Sequence, residues 1–320
     1  MNILVTSASR KVGLIKAFQK ALKLHDGGSV MAADVNPLSP AFYVADDYII
    51  VPRSDNPVFI DSLLDTCKRL QVKLLIPTRD EELILFAVHK EKFTDNGIVV
   101  MVSDHDAIRI CQDKELFTEF CQSNNFRIPC TYHNLDDLEE KDFPLFVKPK
   151  HGKGGMGTFK VNNLNEFKLI NHFVVEPIIQ EFIDAPEYTV DLFADFNGKV
   201  ITAVPRERIS VWGGESFTTK TFNNPVIIRE AVRLAEKLNL VGHNTIQCFL
   251  DEGIVKFIEV NPRFGGAASL SFAAGASSPI NLIKIVKGEI LTPQLGDFKD
   301  GFIALRYVED LFISEDSIKK

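Results

Sequence analysis

Residues 257–263 read Phe257-Ile258-Glu259-Val260-Asn261-Pro262-Arg263. The apolar run predicts a strand, over 255–260, and strand side chains alternate between two faces. Glu259 and Asn261 therefore share one face, and Ile258 and Val260 are expected on the opposite, packed one. A carboxylate and an amide oxygen at that spacing are hard oxygen ligands suited to Mg2+. Gln247 is equally out of place in the apolar strand predicted over 245–250, and a hairpin between the two strands would set it beside Glu259. Arg263 follows at the strand end, where a guanidinium can bind a phosphoryl or carboxylate group bidentately. Polar groups converging on one sheet face are costly unless something binds there. The plainer reading is a structural polar face.

Working outward, strands are predicted over 188–196 and 200–204, with helices over 226–238 and 280–286, so this half reads as α+β. Upstream, a strand over 145–149 carries Lys148 within an apolar run. A buried ammonium needs an anion nearby; on an edge strand it would instead face solvent. A glycine-rich loop follows, with Gly152, Gly154, Gly155 and Gly157, then a strand over 158–161. Glycines give up backbone entropy and let main-chain N–H groups approach phosphate oxygens. No Gly-Lys-Ser/Thr closes the loop onto a helix, so it is not a Walker A motif; it is either a phosphate cover or a mobile hairpin. After a helix over 165–172, the strand over 178–183 runs through Glu181, Phe182 and Ile183 into the polar turn Asp184-Ala185-Pro186-Glu187. Such a strand end offers backbone groups to a planar base, and Glu187 suits ribose hydroxyls or simply a solvated turn.

Residues 1–105 alternate strands (3–5, 29–33, 48–51, 73–77 and 98–102) with helical periods, which predicts a parallel sheet. Ligands gather at the carboxyl ends of such strands, here Ser7–Arg10, Asp34–Asn36 and Thr78–Glu81. The first loop lacks G-x-G-x-x-G, which disfavours a nicotinamide cofactor. Asp34 is a ribose-binding carboxylate or a turn residue. Residues 106–128 read as helical and carry Lys114. The expected organisation is an α/β domain over 1–105, a second unit with the glycine loop over 106–185 and a third with the metal site over 186–320.

Composition narrows the function classes. The chain has 320 residues, 45% hydrophobic and 25% charged, and 36 basic against 43 acidic side chains give a net charge of −7. That balance argues against a general nucleic-acid binder. No run approaches the ~18 apolar residues of a membrane span, and the quickly polar MNILVTSASR start does not read as a signal peptide. Five cysteines without a C-x-x-C pair predict reduced thiols and a cytoplasmic address. The seven histidines do not cluster with them at zinc spacing.

Taken together, Ile76-Pro77-Thr78-Arg79-Asp80-Glu81-Glu82, Asp113-Lys114, Val147-Lys148-Pro149 with its glycine loop, Gln180-Glu181-Phe182-Ile183 and Ile258–Arg263 resemble the ATP-grasp superfamily. The nearest branch is the carbamoyl-phosphate-synthase-like ligases, and the resemblance covers nearly the whole chain. It implies a parallel, Rossmann-like α/β domain followed by a two-subdomain α+β ATP-grasp fold. It further implies that Lys114 and Lys148 contact the nucleotide phosphates, that the glycine loop closes over them, and that Glu181 and the backbone at Phe182 and Ile183 hold adenine. Glu187 would hold ribose, and Gln247, Glu259 and Asn261 would bind Mg2+, for which Mn2+ can substitute. Many relatives carry a carboxylate at the position of Gln247. Arg263 would lie near the transferred phosphoryl.

The implied reaction is ATP-dependent activation of a carboxylate as an acyl phosphate, then attack by an amine, with small molecules such as amino acids as substrates. Arg206, in Val204-Pro205-Arg206-Glu207-Arg208, is expected at the acyl phosphate or else in a surface charge ladder. A flexible loop over 210–220 with Trp212 is expected to choose substrate, and Thr78, Asp80 and Glu81 to touch the amine or carboxylate. A full carbamoyl phosphate synthase large subunit carries two such modules, so that complete reaction is not expected of one. Competing readings are a phosphoryl-transferring enzyme of the same fold, an ATP-binding regulatory or scaffold protein with a degenerate site, and a dehydrogenase. Oligomeric state stays open, with a homodimer through the first domain as one arrangement.

Overall fold

The computed structural model describes residues 1–25, 27–132, 138–150 and 155–319. Gly152 and Gly154 lie outside them. Strands β1 (Asn2–Val5), β2 (Val30–Asp34), β3 (Asp47–Ile50), β4 (Val72–Ile76) and β5 (Val99–Val100) form a parallel sheet in the order β3-β2-β1-β4-β5. Helices α1 (Val12–Lys23), α2 (Phe59–Arg69), α3 (Asp80–Val88) and α4 (Lys90–Thr94) connect them. Alternation sorts β1 between two cores. Ile3 and Val5 join Ile15 and Phe18 of α1, whereas Leu4 joins Phe59 and Leu63 of α2.

The loop after β1 does without glycine by borrowing side chains. Ser7 and Ser9 adopt φ of 46° and 42°, a region unfavourable to most residues. The Ser9 amide donates to Asp34 at 2.8 Å, and the hydroxyls of Thr6 and Ser7 donate to Glu82 at 2.8 and 2.5 Å. Asp34 also accepts the Asn36 amide at 3.0 Å, so in this structure it is a turn residue that pins the loop. Thr78 is buried, and its hydroxyl donates to the carbonyls of Thr6 and Ser7, which turns it away from any substrate.

The helical stretch after the first sheet divides at Asp113 into α5 (His105–Gln112) and α6 (Lys114–Ser123). Asp113 is extended and its carboxylate accepts the amides of Glu115 and Leu116, an N-cap that starts α6 at Lys114. Beyond it, β6 (Thr131–Tyr132), β7 (Leu145–Pro149), β8 (Phe159–Val161) and β9 (Pro177–Glu181) form an antiparallel sheet in the order β6-β9-β7-β8, with α7 (Leu164–Asn171) packed on it.

A six-stranded antiparallel sheet follows. Its strands are β10 (Glu187–Ala194), β11 (Val200–Trp212), β12 (Glu215–Thr221), β13 (Gly242–Asp251), β14 (Ile254–Asn261) and β15 (Ile303–Leu305), ordered β14-β13-β10-β11-β12-β15. Helix α8 (Pro225–Lys237) covers its apolar face. Two expectations fail here. The strand predicted to stop at Val204 runs on to Trp212 and pairs with β12. Gly213 and Gly214, both at positive φ, make the two-residue turn that such a hairpin requires, so the flexible loop is ordered strand on both sides. Second, β14 bulges: Gln247 pairs with Glu259, but Cys248 pairs with Phe257. The skipped Ile258 is only half-buried, while Phe257 and Val260 fill the core.

After β14 the chain returns to the first sheet. Phe264 precedes α9 (Ser269–Ala273) and α10 (Ser278–Val286), and with Leu282 and Ile283 it joins the core around Phe18. Its ring meets Phe18 edge-on at 5.8 Å and stacks on His243 at 4.3 Å. Truncating a buried aromatic of this kind costs about 3–5 kcal/mol. Phe264→Ala is therefore expected to lower the Tm markedly in a thermal melt, with far-UV circular dichroism of the remaining folded fraction unchanged.

Candidate functional site

The six-stranded sheet carries one polar face, built in cross-strand rows. Register aligns Arg206, Thr189, Gln247 and Glu259 across β11, β10, β13 and β14, and the next row is Val204, Asp191, Thr245 and Asn261. The opposite face, with Val190, Ile246, Cys248 and Val260, is core. The hairpin thus sets Gln247 beside Glu259. Over this face lies a cavity of about 570 Å3, bounded also by Lys114, by Asp80 and Glu81 of the first domain and by the turn Gly265–Ala267.

Gln247 donates its amide N–H to Glu187 at 2.8 Å, and Asn261 donates to Glu259 at 2.9 Å. Both amides spend nitrogen on a carboxylate, which leaves oxygen as their donor atom for a cation. The set is then two amide oxygens and the Glu259 carboxylate, all hard ligands of the kind Mg2+ accepts. Among the described residues no three His, Cys, Asp or Glu side chains gather as an alternative metal cluster. These residues fit a magnesium ion.

Two lysines face the same carboxylate. Lys148 is buried, and burial first, then the charge of Lys114, pushes its pKa down to about 8, with Glu259 pulling the other way. Burial also lowers the pKa of Lys114, again against Glu259. The Lys114 ammonium donates to the carbonyls of Pro149 and Lys150 at 2.9 and 3.1 Å, where the glycine loop begins. Gly155 and Gly157 both hold positive φ, which glycine adopts without penalty. Between the two antiparallel sheets, Lys114, Lys148, Gln180 and Phe257 border a slot of only about 10 Å3.

The remaining candidates are less uniform. Glu181 accepts the Cys130 amide at 2.9 Å and the Lys256 ammonium at 3.0 Å. The Phe182 amide donates to Pro144 at 3.2 Å, and Lys160 lies 4.0 Å over its ring; Ile183 is half-buried beside it. Glu187 is no solvated turn residue: Arg208 approaches it at 3.0 Å opposite Gln247. Arg206 belongs to no surface ladder. It is buried, donates to both oxygens of Asp191 at 2.9 and 3.4 Å and to Ser216 at 3.3 Å, and borders the cavity floor. Arg263 is bound bidentately by Asp80, at 2.6 Å to each oxygen.

Asp191 and His243 escaped the sequence reading. Burial opposes ionisation of Asp191, but Arg206, His243 and the Ser271 hydroxyl, which donates to it at 2.5 Å, hold its pKa below the ordinary value. A carboxylate inside an apolar strand was the available signal, the same one that exposed Lys148.

Two family models match in sequence. Residues 3–101 match the PylC-like, N-terminal domain, and residues 111–267 match the ATP-grasp domain. A carbamoyl phosphate synthase large chain from Thermoanaerobacter sp. (strain X514) is 30% identical over 193 residues, which is 54% of this chain but 18% of that one. The chain thus spans less than a fifth of that relative's length. N5-carboxyaminoimidazole ribonucleotide synthetase from Thermotoga maritima shares the fold with a TM-score of 0.67 at 21% identity, over 91% of this chain and 77% of that one. L-amino acid ligase from Bacillus licheniformis does so with a TM-score of 0.70 at 18% identity, over 93% and 77%. The architecture is a parallel-sheet domain followed by the two antiparallel sheets of an ATP-grasp fold. The chain thus carries an ATP-grasp domain behind a PylC-like N-terminal domain.

His243 sets an acid limit on stability. It is fully buried, donates or accepts at Ser278 over 2.8 Å, and has its pKa pushed down to about 4 by burial first, with Arg206 adding and Asp191 opposing. The folded-state value lies below the unfolded one, so acidification protonates the unfolded chain first. Stability is expected to fall between about pH 6.5 and pH 4, by about 3 kcal/mol in all. Urea denaturation at pH 7 and pH 5 checks this, and His243→Gln should flatten the difference.

Proposed function

We propose that the chain is an ATP-dependent ligase that activates a carboxylate as an acyl phosphate for attack by an amine, releasing ADP and phosphate. The observation that carries this reading is the convergence of Lys114, Gln247, Glu259 and Asn261 on one cavity, with Lys148 in the slot that Lys114 also borders and within the field of Glu259. Two cations beside a hard oxygen set suit the polyphosphate of a nucleotide and its metal. Gln247, Glu259 and Asn261 would hold Mg2+, or Mn2+ in its place, which would offset charge on the phosphate oxygens.

The chain's own residues do positioning and charge stabilisation. Lys148 and Lys114 neutralise the phosphates, and the 152–157 loop covers them. The strand end at Glu181, Phe182 and Ile183 receives adenine, and Glu187 orients ribose. Arg206, fixed from behind by Asp191, presents its remaining N–H groups at the cavity floor to the carboxylate and then to the acyl phosphate. Arg263 sits where charge builds on the transferred phosphoryl. The amine enters the same cavity, which Glu81 and Glu215 also line. The likeness to an L-amino acid ligase supports an amino acid on at least one side. Free thiols throughout support a reducing, cytoplasmic setting.

The test is Mg2+-dependent ADP release against pooled carboxylates and amines, with hydroxylamine present to trap acyl phosphate. ADP with a hydroxamate supports the reading. Absence of ATP binding overturns it in favour of a degenerate scaffold. Lys148→Ala removes one charge-assisted contact and is expected to weaken MgATP binding about 10- to 100-fold by calorimetry. Glu259→Ala is expected to lower turnover by about 100-fold or more while the melting curve keeps its shape.

A further inference from the structure

We infer that Asp80, a residue of the first domain, is a positioning residue that aims Arg263 at the transferred phosphoryl group. This rests on the proposed ligase reading and adds to it a working part outside the ATP-grasp domain. The two residues are 183 positions apart, and they meet at the cavity edge, where both are mostly buried.

An accounting of Arg263 hydrogens leaves little slack. Nε and Nη2 each donate to one Asp80 oxygen at 2.6 Å, Nη2 also reaches the Asn261 oxygen at 3.4 Å, and Nη1 donates to the Phe264 carbonyl at 3.3 Å. Of five guanidinium hydrogens, one on Nη1 has no acceptor among the described residues. A bidentate pair fixes the plane of the guanidinium as well as its place. Asp80 therefore determines which single N–H is left for a ligand.

Asp80 is held in turn. It is the first residue of α3, and its carbonyl accepts the Gln112 side chain at 2.6 Å. Gln112 ends α5, one residue before the Asp113 cap and two before Lys114. The strand end that carries Asn261 and Arg263 and the helix start that carries Lys114 are thus referred to one carboxylate-bearing turn. An isolated surface ion pair contributes little. This pair is enclosed, and removing Asp80 would leave a buried cation without its counter-charge and free to swing. A guanidinium stabilises a phosphoryl group effectively only when its direction is set beforehand.

The test compares Asp80→Ala, Asp80→Glu, Arg263→Ala and the Asp80→Ala/Arg263→Ala double variant in equilibrium titrations with MgATP and with MgADP. Only ATP carries the transferable phosphoryl, so the ratio of the two affinities reads Arg263 directly. Both single variants are expected to lose about tenfold in MgATP affinity and to keep MgADP affinity within about twofold. The double variant should fall no further, the non-additivity of residues acting as a unit, and Asp80→Glu should recover part of the loss. Should Asp80→Ala fail to fold, the isosteric Asp80→Asn takes its place. Equal losses for both nucleotides, or no loss, overturn the inference and leave the ligase reading standing. Tighter MgATP binding overturns it too, since Asp80 would then be a competitor for the arginine. A wild-type chain that binds neither nucleotide overturns both.

Discussion

The register between β13 and β14 is the constraint on which the site depends. A one-residue slip in an antiparallel pair sends every side chain to the other face. Here such a slip would bury Glu259 and Asn261 against α8 and turn Val260 to the cavity. The bulge at Ile258 is the device that reconciles the two needs of β14. It lets Phe257 and Val260 both reach the core although they are three residues apart, and it leaves Glu259 and Asn261 opposite Gln247 and Thr245. Bulges of this kind re-aim side chains beside functional sites.

From that hairpin the polar face extends by pairing alone. Each strand added beside β13 contributes one residue per row, so Thr189 and Asp191 on β10, and Arg206 on β11, arrive without any loop having to fold around a ligand. Burial of the Asp191–Arg206 pair is costly and is met by Ser216, Ser271 and the nearby His243. The outcome is a rigid floor beneath a cavity whose walls are shorter and more irregular. Sites carried on regular elements hold their geometry better than sites carried on loops.

Much of this was legible in the sequence, for a specific reason. Lys148, Gln247, Glu259 and Asn261 are polar residues interrupting apolar strands, and the alternation rule turns each interruption into a direction. The parallel first sheet was legible from the same periodicity. What stayed hidden were quantities that alternation does not carry. The bulge at Ile258 breaks the period itself. The extension of β11 turned on reading Gly213-Gly214 as a hairpin turn rather than as slack. The partnership of Asp80 with Arg263 and that of His243 with Ser278 join positions with no local relation, and the N-cap role of Asp113 divided a helix that hydrophobic spacing alone would have run together.

The slot beside Lys148 has a kinetic consequence. Its volume, about 10 Å3, is about that of a single water-sized probe, far too small for any organic anion. A ligand that reaches that ammonium through this slot must first part the β6-β9-β7-β8 sheet from β14. Association with such a ligand is then gated by the frequency of that opening as well as by diffusional encounter. A ligand once enclosed would likewise wait on the same opening to escape, so slow entry and long residence would arise from one geometric cause.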